Sequence, residues 1–175
     1  MDKRTVKKIF LGGPFQFHYK DYTDEHLSED YRAEIIGMER FKRKPIEGQH
    51  LMLSKTTEYI GPFYFYEQPN DAVIVVRKES AFIENCTDAF FLIGINDMPG
   101  TITEMVYAAL RHANVFIYYV REQIDTGEVG RTFLTSQWYP LTFISIQNIS
   151  KVEIYGFDSY EEAKTAIIKR IREYV

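Results

Sequence analysis

Apolar positions along this chain follow two rhythms. Short unbroken runs at residues 8–11, 89–95 and 115–120 suit strands buried on both faces of a parallel sheet. Between them the apolar residues recur at helical spacing. Residues 29–41 predict a helix with Tyr31, Ile35, Ile36 and Met38 on its apolar side. Met105, Val106, Ala108, Ala109 and Leu110 mark a second, and Ala163, Ala166, Ile167, Ile171 and Val175 a last one. Pro69-Asn70-Asp71 opens a further helix to about Asn85, with Ile74, Val75, Phe82 and Ile83 inward; its β-branched run at 73–76 would equally suit a strand. Residues 152–155 predict a final strand, and Ser159 and Glu162 stand at capping-box spacing before the last helix. Residues 49–65 are ambiguous, with 59–66 either a strand or an aromatic loop, and 142–149 read as a strand or an extended segment. The alternation predicts a single three-layer α/β domain over residues 1–175: a mostly parallel central sheet flanked by helices, of the flavodoxin or Rossmann kind. In such sheets ligands bind at the carboxyl ends of the strands.

Composition narrows the picture. The 175 residues are 45% hydrophobic and 15% aromatic, too apolar for disorder and enough for a sizeable core. A formal net charge of -4 disfavours a nucleic-acid backbone as partner. The basic run Arg40-Phe41-Lys42-Arg43-Lys44 reads first as a solvated helix end and only second as a phosphate contact. The single Cys86 leaves no internal disulfide and no zinc cluster, and its apolar setting suits the core better than a nucleophile. Met1-Asp2-Lys3-Arg4 leads into a strand rather than a signal peptide, and no apolar run reaches the ~20 residues of a membrane span, so a cytoplasmic protein without membrane contact is expected.

Candidate chemistry gathers after two strands. Gly12-Gly13-Pro14-Phe15 follows the first; paired glycines admit a ligand close to the backbone or simply make a tight turn. The motif is not GxGxxG, and no phosphate loop follows. Pro99-Gly100-Thr101 is a turn and helix start that puts Glu104 in the first helical turn, beside the turn carrying Asp97. A first-turn Glu also suits the helix dipole with no catalytic role, and Asn96-Asp97 is ordinary turn chemistry. Tyr107 stands one turn beyond Glu104, to orient it or to pack. Asp88, opening the central strand, reads as a structural cap. His18 reads as a surface residue, and residues 121–131 as a loop near the sheet edge.

Lys8 through Phe15, residues 83–88, Asp97 and Gly100-Thr101-x-x-Glu104-Met105-x-Tyr107-Ala108 together resemble the nucleoside 2-deoxyribosyltransferase family. The resemblance implies a covalent mechanism with Glu104 as nucleophile and Asp97 in base contact or proton transfer. Gly100 and Thr101 would hold the sugar; Gly12, Gly13 and Phe15 would border the base, with Phe15 stacking on it. The implied partners are a small nucleoside or nucleotide and a nucleobase, with no cofactor and no metal. A homo-oligomer is implied, its second subunit closing the site, and the aromatic load at 59–66 and 116–119 points the same way. The chain also departs from the family pattern. Phe10 stands where a tyrosine steadies the nucleophile. Ser80, with Glu79 adjacent, stands where an aspartate reads the base. The Asp97-to-Glu104 spacing is one residue longer, and no counterpart to the asparagine lent by a neighbouring subunit is found at 121–138. These departures keep other readings open. A nucleoside or nucleotide hydrolase is one; a nucleotide-binding sensor without turnover is another. A phosphoribohydrolase of the lysine-decarboxylase-like family shares the Gly-Thr-x-x-Glu start but has a glycine-richer loop than Met98-Pro99-Gly100-Thr101. A TIR-like glycohydrolase module is the most distant.

Overall fold

Strands that are apolar on both faces need cover on both. The computed structural model, which describes residues 6–13, 28–42, 51–63, 72–94, 99–111, 113–121 and 151–175, shows how the chain supplies it. Strand β1 (Lys7–Gly12) pairs in parallel with β3 (Thr57–Gly61) on one side and β4 (Asp88–Ile93) on the other. β4 pairs in parallel with β5 (Asn114–Val120), and β5 with β6 (Val152–Phe157). The two-residue β2 (Leu51–Met52) adds an antiparallel edge to β3, giving the order β2-β3-β1-β4-β5-β6. The expected mostly parallel α/β architecture is present, with β4 and β5 as adjacent inner strands in register Ala89↔Val115 through Ile93↔Tyr119.

Period-two alternation divides the strand side chains between two cores. Ile9, Leu11, Phe90, Leu92, Phe116 and Tyr118 point to one face. Helices α1 (Tyr31–Ile36), α2 (Met38–Phe41) and α5 (Tyr160–Tyr174) cover it with Tyr31, Ile36, Phe41, Ala163, Ile167 and Ile171. Phe10, Ala89, Phe91, Ile93, Val115 and Ile117 point to the other. Helices α3 (Ala72–Asn85) and α4 (Pro99–Leu110) cover that face with Ile83, Met105, Ala108 and Ala109. The β-branched run at the start of α3 is therefore helical: one open face of the sheet needs a helix, and tertiary cover outweighs local strand preference.

Several expectations change. The helix expected over 29–41 is two short ones, because Gly37 sits at φ 86, a left-handed conformation that ends α1 with its N–H on Ala33 O. Of the aromatics expected to need a second subunit, Tyr59, Phe63, Phe116 and Tyr118 are buried within this chain, and Phe116 stacks on Phe90 at 4.6 Å between centroids; residues 64–66 lie outside the described residues. The last helix begins as its spacing predicts, with Ser159 Oγ accepting from Glu162 N at 3.2 Å. The expectations for residues 121–138 and 142–149 fall outside the described residues, apart from Arg121. No described helix is long and apolar enough to cross a membrane.

Candidate functional site

The chain passes from β1 to β3 on one side and later to β4 on the other, so the strand order reverses at β1. In open sheets of this kind such a reversal is where ligands bind, outside the carboxyl ends of the strands, here those of β1 and β4. Gly12 and Gly13 lie there, and their smallness has a protein-internal cause. A Cβ on Gly12 would fall 2.3 Å from the Phe91 ring, and one on Gly13 would fall 3.1 Å from the Tyr31 ring and 3.3 Å from Leu92 O. Both carbonyls are held from the helix that follows. The Tyr31 hydroxyl donates to Gly12 O at 2.7 Å, and Arg32 Nη1 donates to Gly13 O at 3.3 Å.

Arg32 is 1% exposed. Its fork is closed by Asp30, with Nε on Oδ1 at 2.8 Å and Nη2 on Oδ2 at 2.6 Å. Asp30 also caps α1, accepting from Arg32 N at 2.8 Å. Burial works against the guanidinium's charge, but the Asp30 carboxylate outweighs it and Arg32 stays ionised. The guanidinium also lies over the Phe41 and Tyr31 rings.

Helices α3 and α4 each send a carboxyl group toward this end of β1. Glu79 lies one turn before Ile83 on α3, and Glu104 one turn before Ala108 on α4; Ile83 and Ala108 both belong to the core under Phe10. The two carboxyls hydrogen-bond to each other. Burial pushes Glu104 well above the ordinary carboxylate range, and the Glu79 charge and hydrogen bond push it further; the Arg32 charge pulls the other way. Burial raises Glu79 too, eased by the bond from Glu104 and by Arg32. Two carboxyls so placed hold one proton between them and titrate as a unit. Burial favours leaving that proton on Glu104, with Glu79 accepting.

Glu104 is not in the first turn of its helix. α4 begins at Pro99, so Glu104 is its sixth residue, in the second turn. The helix-dipole explanation of this glutamate therefore lapses, since that benefit is confined to the first turn. Thr101 is buried in the first turn, and Gly100 is exposed, with nothing within 4 Å of where a Cβ would stand. The Tyr107 hydroxyl is turned to the surface, donating to Glu84 Oε1 at 2.7 Å; Arg111 joins the same oxygen at 3.3 Å. That bond replaces the expected orientation of Glu104 by Tyr107. Ser80, half-buried on α3, is one residue from the position that meets Glu104. Phe15 and Asp97 lie outside the described residues.

Asp88 sits at the opposite, amino-terminal edge of the sheet, as a structural cap should. Its Oδ1 accepts from Asn114 Nδ2 and from the Tyr174 hydroxyl, each at 2.6 Å, and its Oδ2 from Thr87 Oγ1 at 2.6 Å. Cys86 is half-buried against the second core; burial, with the Asp88 charge, holds its thiol protonated by pushing it up to about 12. Among the described residues no group of three or more His, Cys, Asp or Glu is placed to hold a metal. A groove of about 440 Å³ on the outer surface of α1 and α5 is lined by Glu34, Lys164, Ile168 and Arg172. It belongs to the opposite helical layer from the carboxyl pair, and its charges pair internally, Arg172 with Glu34 at 3.0 Å.

No family model and no curated protein matches the chain. Among solved structures, the Clostridium botulinum CMP N-glycosidase BcmB is similar at a TM-score of 0.47 and 11% identity, over 97% of this chain and 100% of that one. The Methanococcus maripaludis translation elongation factor SelB, in complex with the GTP analogue GppNHp, gives 0.41 at 8% identity, over 96% of this chain and 34% of that one. Both scores are below 0.5, and neither likeness carries a function to this chain.

Proposed function

We propose that this protein cleaves the N-glycosidic bond of a nucleoside or nucleotide, through a covalent intermediate on Glu104. The observation that carries the reading is the hydrogen-bonded Glu79–Glu104 pair. One of its members is the glutamate of the Gly-Thr-x-x-Glu motif, on the helix that follows β4, and ligands of this sheet type bind outside the carboxyl ends of the strands. Glycosidic cleavage by retention needs one ionised carboxyl to trap the sugar and one protonated carboxyl to supply the leaving group. A pair holding a single proton contains both forms at once.

The division of labour follows from that proton. For Glu104 to attack C1′, its proton passes along the hydrogen bond to Glu79. Glu104 then forms an ester to C1′ as the C1′–N bond breaks, and the departing base takes the electron pair and the Glu79 proton. In the second half-reaction an incoming base or water attacks C1′, the C1′–O bond to Glu104 breaks with its electron pair returning to the carboxylate, and the nucleophile's proton goes to Glu79. Gly100 and Thr101, at the start of the same helix, remain the candidates to meet the sugar. Ser80, Asp97 and Phe15 remain candidates to meet the substrate on the strength of the sequence resemblance alone.

A second reading, a nucleotide-binding protein without turnover, has its own support in Phe10, which is fully buried against Phe91 and offers no hydroxyl to the pair. Incubation with deoxynucleosides, nucleosides and nucleoside monophosphates, with and without a free acceptor base, separates the two. Base exchange identifies a transferase, and free base released without acceptor a hydrolase. Binding with neither product would overturn the enzymatic reading in favour of the second.

A further inference from the structure

The carboxyl end of β5 carries polar groups that the proposed reaction leaves unused. Alternation along β5 puts Val115, Ile117 and Tyr119, and then Arg121, on the face of the sheet that α4 covers. Tyr119 pairs with Ile93, the last residue of β4, so Arg121 stands beyond the end of that strand. Its backbone is tied to β6, Arg121 N donating to Phe157 O at 2.8 Å. On β6, Val152 and Ile154 point to the same face, and Gly156 is next in that alternation. A Cβ on Gly156 would stand 2.8 Å from Arg121 Nε and 2.8 Å from both Cζ and the hydroxyl oxygen of Tyr119. The guanidinium and the phenol are therefore neighbours, lying together in the space that a side chain at position 156 would fill. Glycine inside a strand weakens it, and here it admits that pair.

A surface ion pair alone does not account for the arrangement. Arg121 Nη1 donates to Asp158 Oδ1 at 3.0 Å, but the two side chains are 45% and 62% exposed, and such a pair adds little stability. The other guanidinium N–H groups and the Tyr119 hydroxyl meet no acceptor among the described residues. We propose that Arg121 and Tyr119 form an anion subsite that receives the phosphate of a nucleoside monophosphate, which makes nucleotides rather than free nucleosides the substrate class. What happens to the nucleotide rests on the glycosidic reading above; the phosphate contact does not. A guanidinium fork matches the oxygens of a phosphate, and its charge-assisted bonds are roughly twice as strong as neutral ones. Asp158 steadies the fork through one arm, while its own charge opposes the anion. The placement agrees. β4 lies between β1 and β5, and the next element along the chain is α4, which carries Glu104. A sugar over the end of β4 has Gly12 and Gly13 on one side and Arg121 on the other, roughly 10 Å apart across two strand spacings. Base and phosphate have those two sides to occupy, and the guanidinium selects the phosphate.

The test titrates the full chain calorimetrically with deoxynucleosides, with their 5′-monophosphates and with inorganic phosphate. The wild type should bind the monophosphates about tenfold or more tighter than the nucleosides. Arg121→Met should remove most of that preference. Asp158→Asn should enlarge it, because the amide still accepts from Nη1 but no longer repels the anion. Gly156→Ala should act like Arg121→Met, its Cβ driving the guanidinium and the phenol from their place; circular dichroism confirms that each variant is folded. If turnover is found, Arg121→Met should raise the KM of monophosphates about tenfold relative to that of nucleosides. A wild type that binds nucleosides and monophosphates alike, or binds neither, would overturn the subsite. So would a preference that survives Arg121→Met, an affinity that falls alike in Arg121→Met and Asp158→Asn, or monophosphates held no tighter than inorganic phosphate. Turnover of monophosphates with a preference indifferent to Arg121 would remove the subsite and leave the glycosidic reading intact. Arg121-dependent binding of monophosphates with no base released or exchanged would sink the glycosidic reading and leave the subsite standing.

Discussion

The two edges of the sheet treat carboxylates in opposite ways. At the amino-terminal edge, Asp88 receives three hydrogen bonds from three different residues, so a 1%-exposed carboxylate is fully provided for. At the other, Glu79 and Glu104 hydrogen-bond to each other, and burial pushes both above the ordinary carboxylate range. The first arrangement ties β4, β5 and α5 together. The second costs stability and yields two protonation states in one place. Burial alone therefore does not mark a reactive acid; the supply of donors does.

The largest contrast should come from replacing the carboxyls themselves. Glu104→Ala should lower glycosidic turnover by about a thousandfold or more, equivalent to ~4 kcal/mol of lost transition-state stabilisation, with the fold retained. Mass spectrometry after a slow 2-fluoro deoxynucleoside should find a sugar-sized adduct on the Glu104 peptide of the wild type and none in Glu104→Gln; persistent turnover in either variant would remove Glu104 from the mechanism. Asp88→Ala should do the reverse: Asn114, Tyr174 and Thr87 lose their acceptor, costing about 3 kcal/mol in denaturant melts, while activity per folded molecule stays near wild type.

A smaller effect should run in the opposite direction. The folded state raises Glu104 above its unfolded value, so the folded protein binds the extra proton. Stability then falls as pH rises from the unfolded carboxyl range through the folded one. Glu104→Gln removes that cost, a tenfold difference in proton affinity between the folded and unfolded chains being worth about 1.4 kcal/mol. Its Tm should exceed the wild type at pH 7–8 by a few degrees, and the two should converge below about pH 4. Equal melting temperatures at both pH values would mean that Glu104 is not held protonated by the fold. The smallest effect belongs to Tyr107→Phe. Its hydroxyl meets Glu84 at the surface, so melting and turnover should both be unchanged; a loss of turnover would return Tyr107 to the site.

The strand residues 89–93 and 115–120 are legible because strands buried on both faces can tolerate little but apolar side chains. The break at Gly37 is not, because the apolar spacing continues across it while a single left-handed residue redirects the chain. Glu104 is legible through its motif, but its depth in the helix is not, since the helix begins two residues before Thr101, at Pro99. Counting back from Asp88 favours Ser80 over Glu79. The better signal is periodic: Glu79 is four residues before buried Ile83, a charge on the packing face of an amphipathic helix. Asp30 and Arg32 give no such sign, because an Asp-x-Arg pair at a helix start is usually solvated, and only the packing of α1 over the end of β1 buries it.

Glycine at position 12 and glycine at position 100 have different futures under change. Any side chain at 12 must displace the Phe91 ring, so that end of β1 is locked by the core beneath it. Position 100 is exposed, two residues into α4 and one turn before Glu104, and a Cβ there would find no atom within 4 Å among the described residues. It is a place where the scaffold can be redesigned at little structural risk, and under the proposed function the length and polarity of residue 100 become a dial on which substrates are admitted.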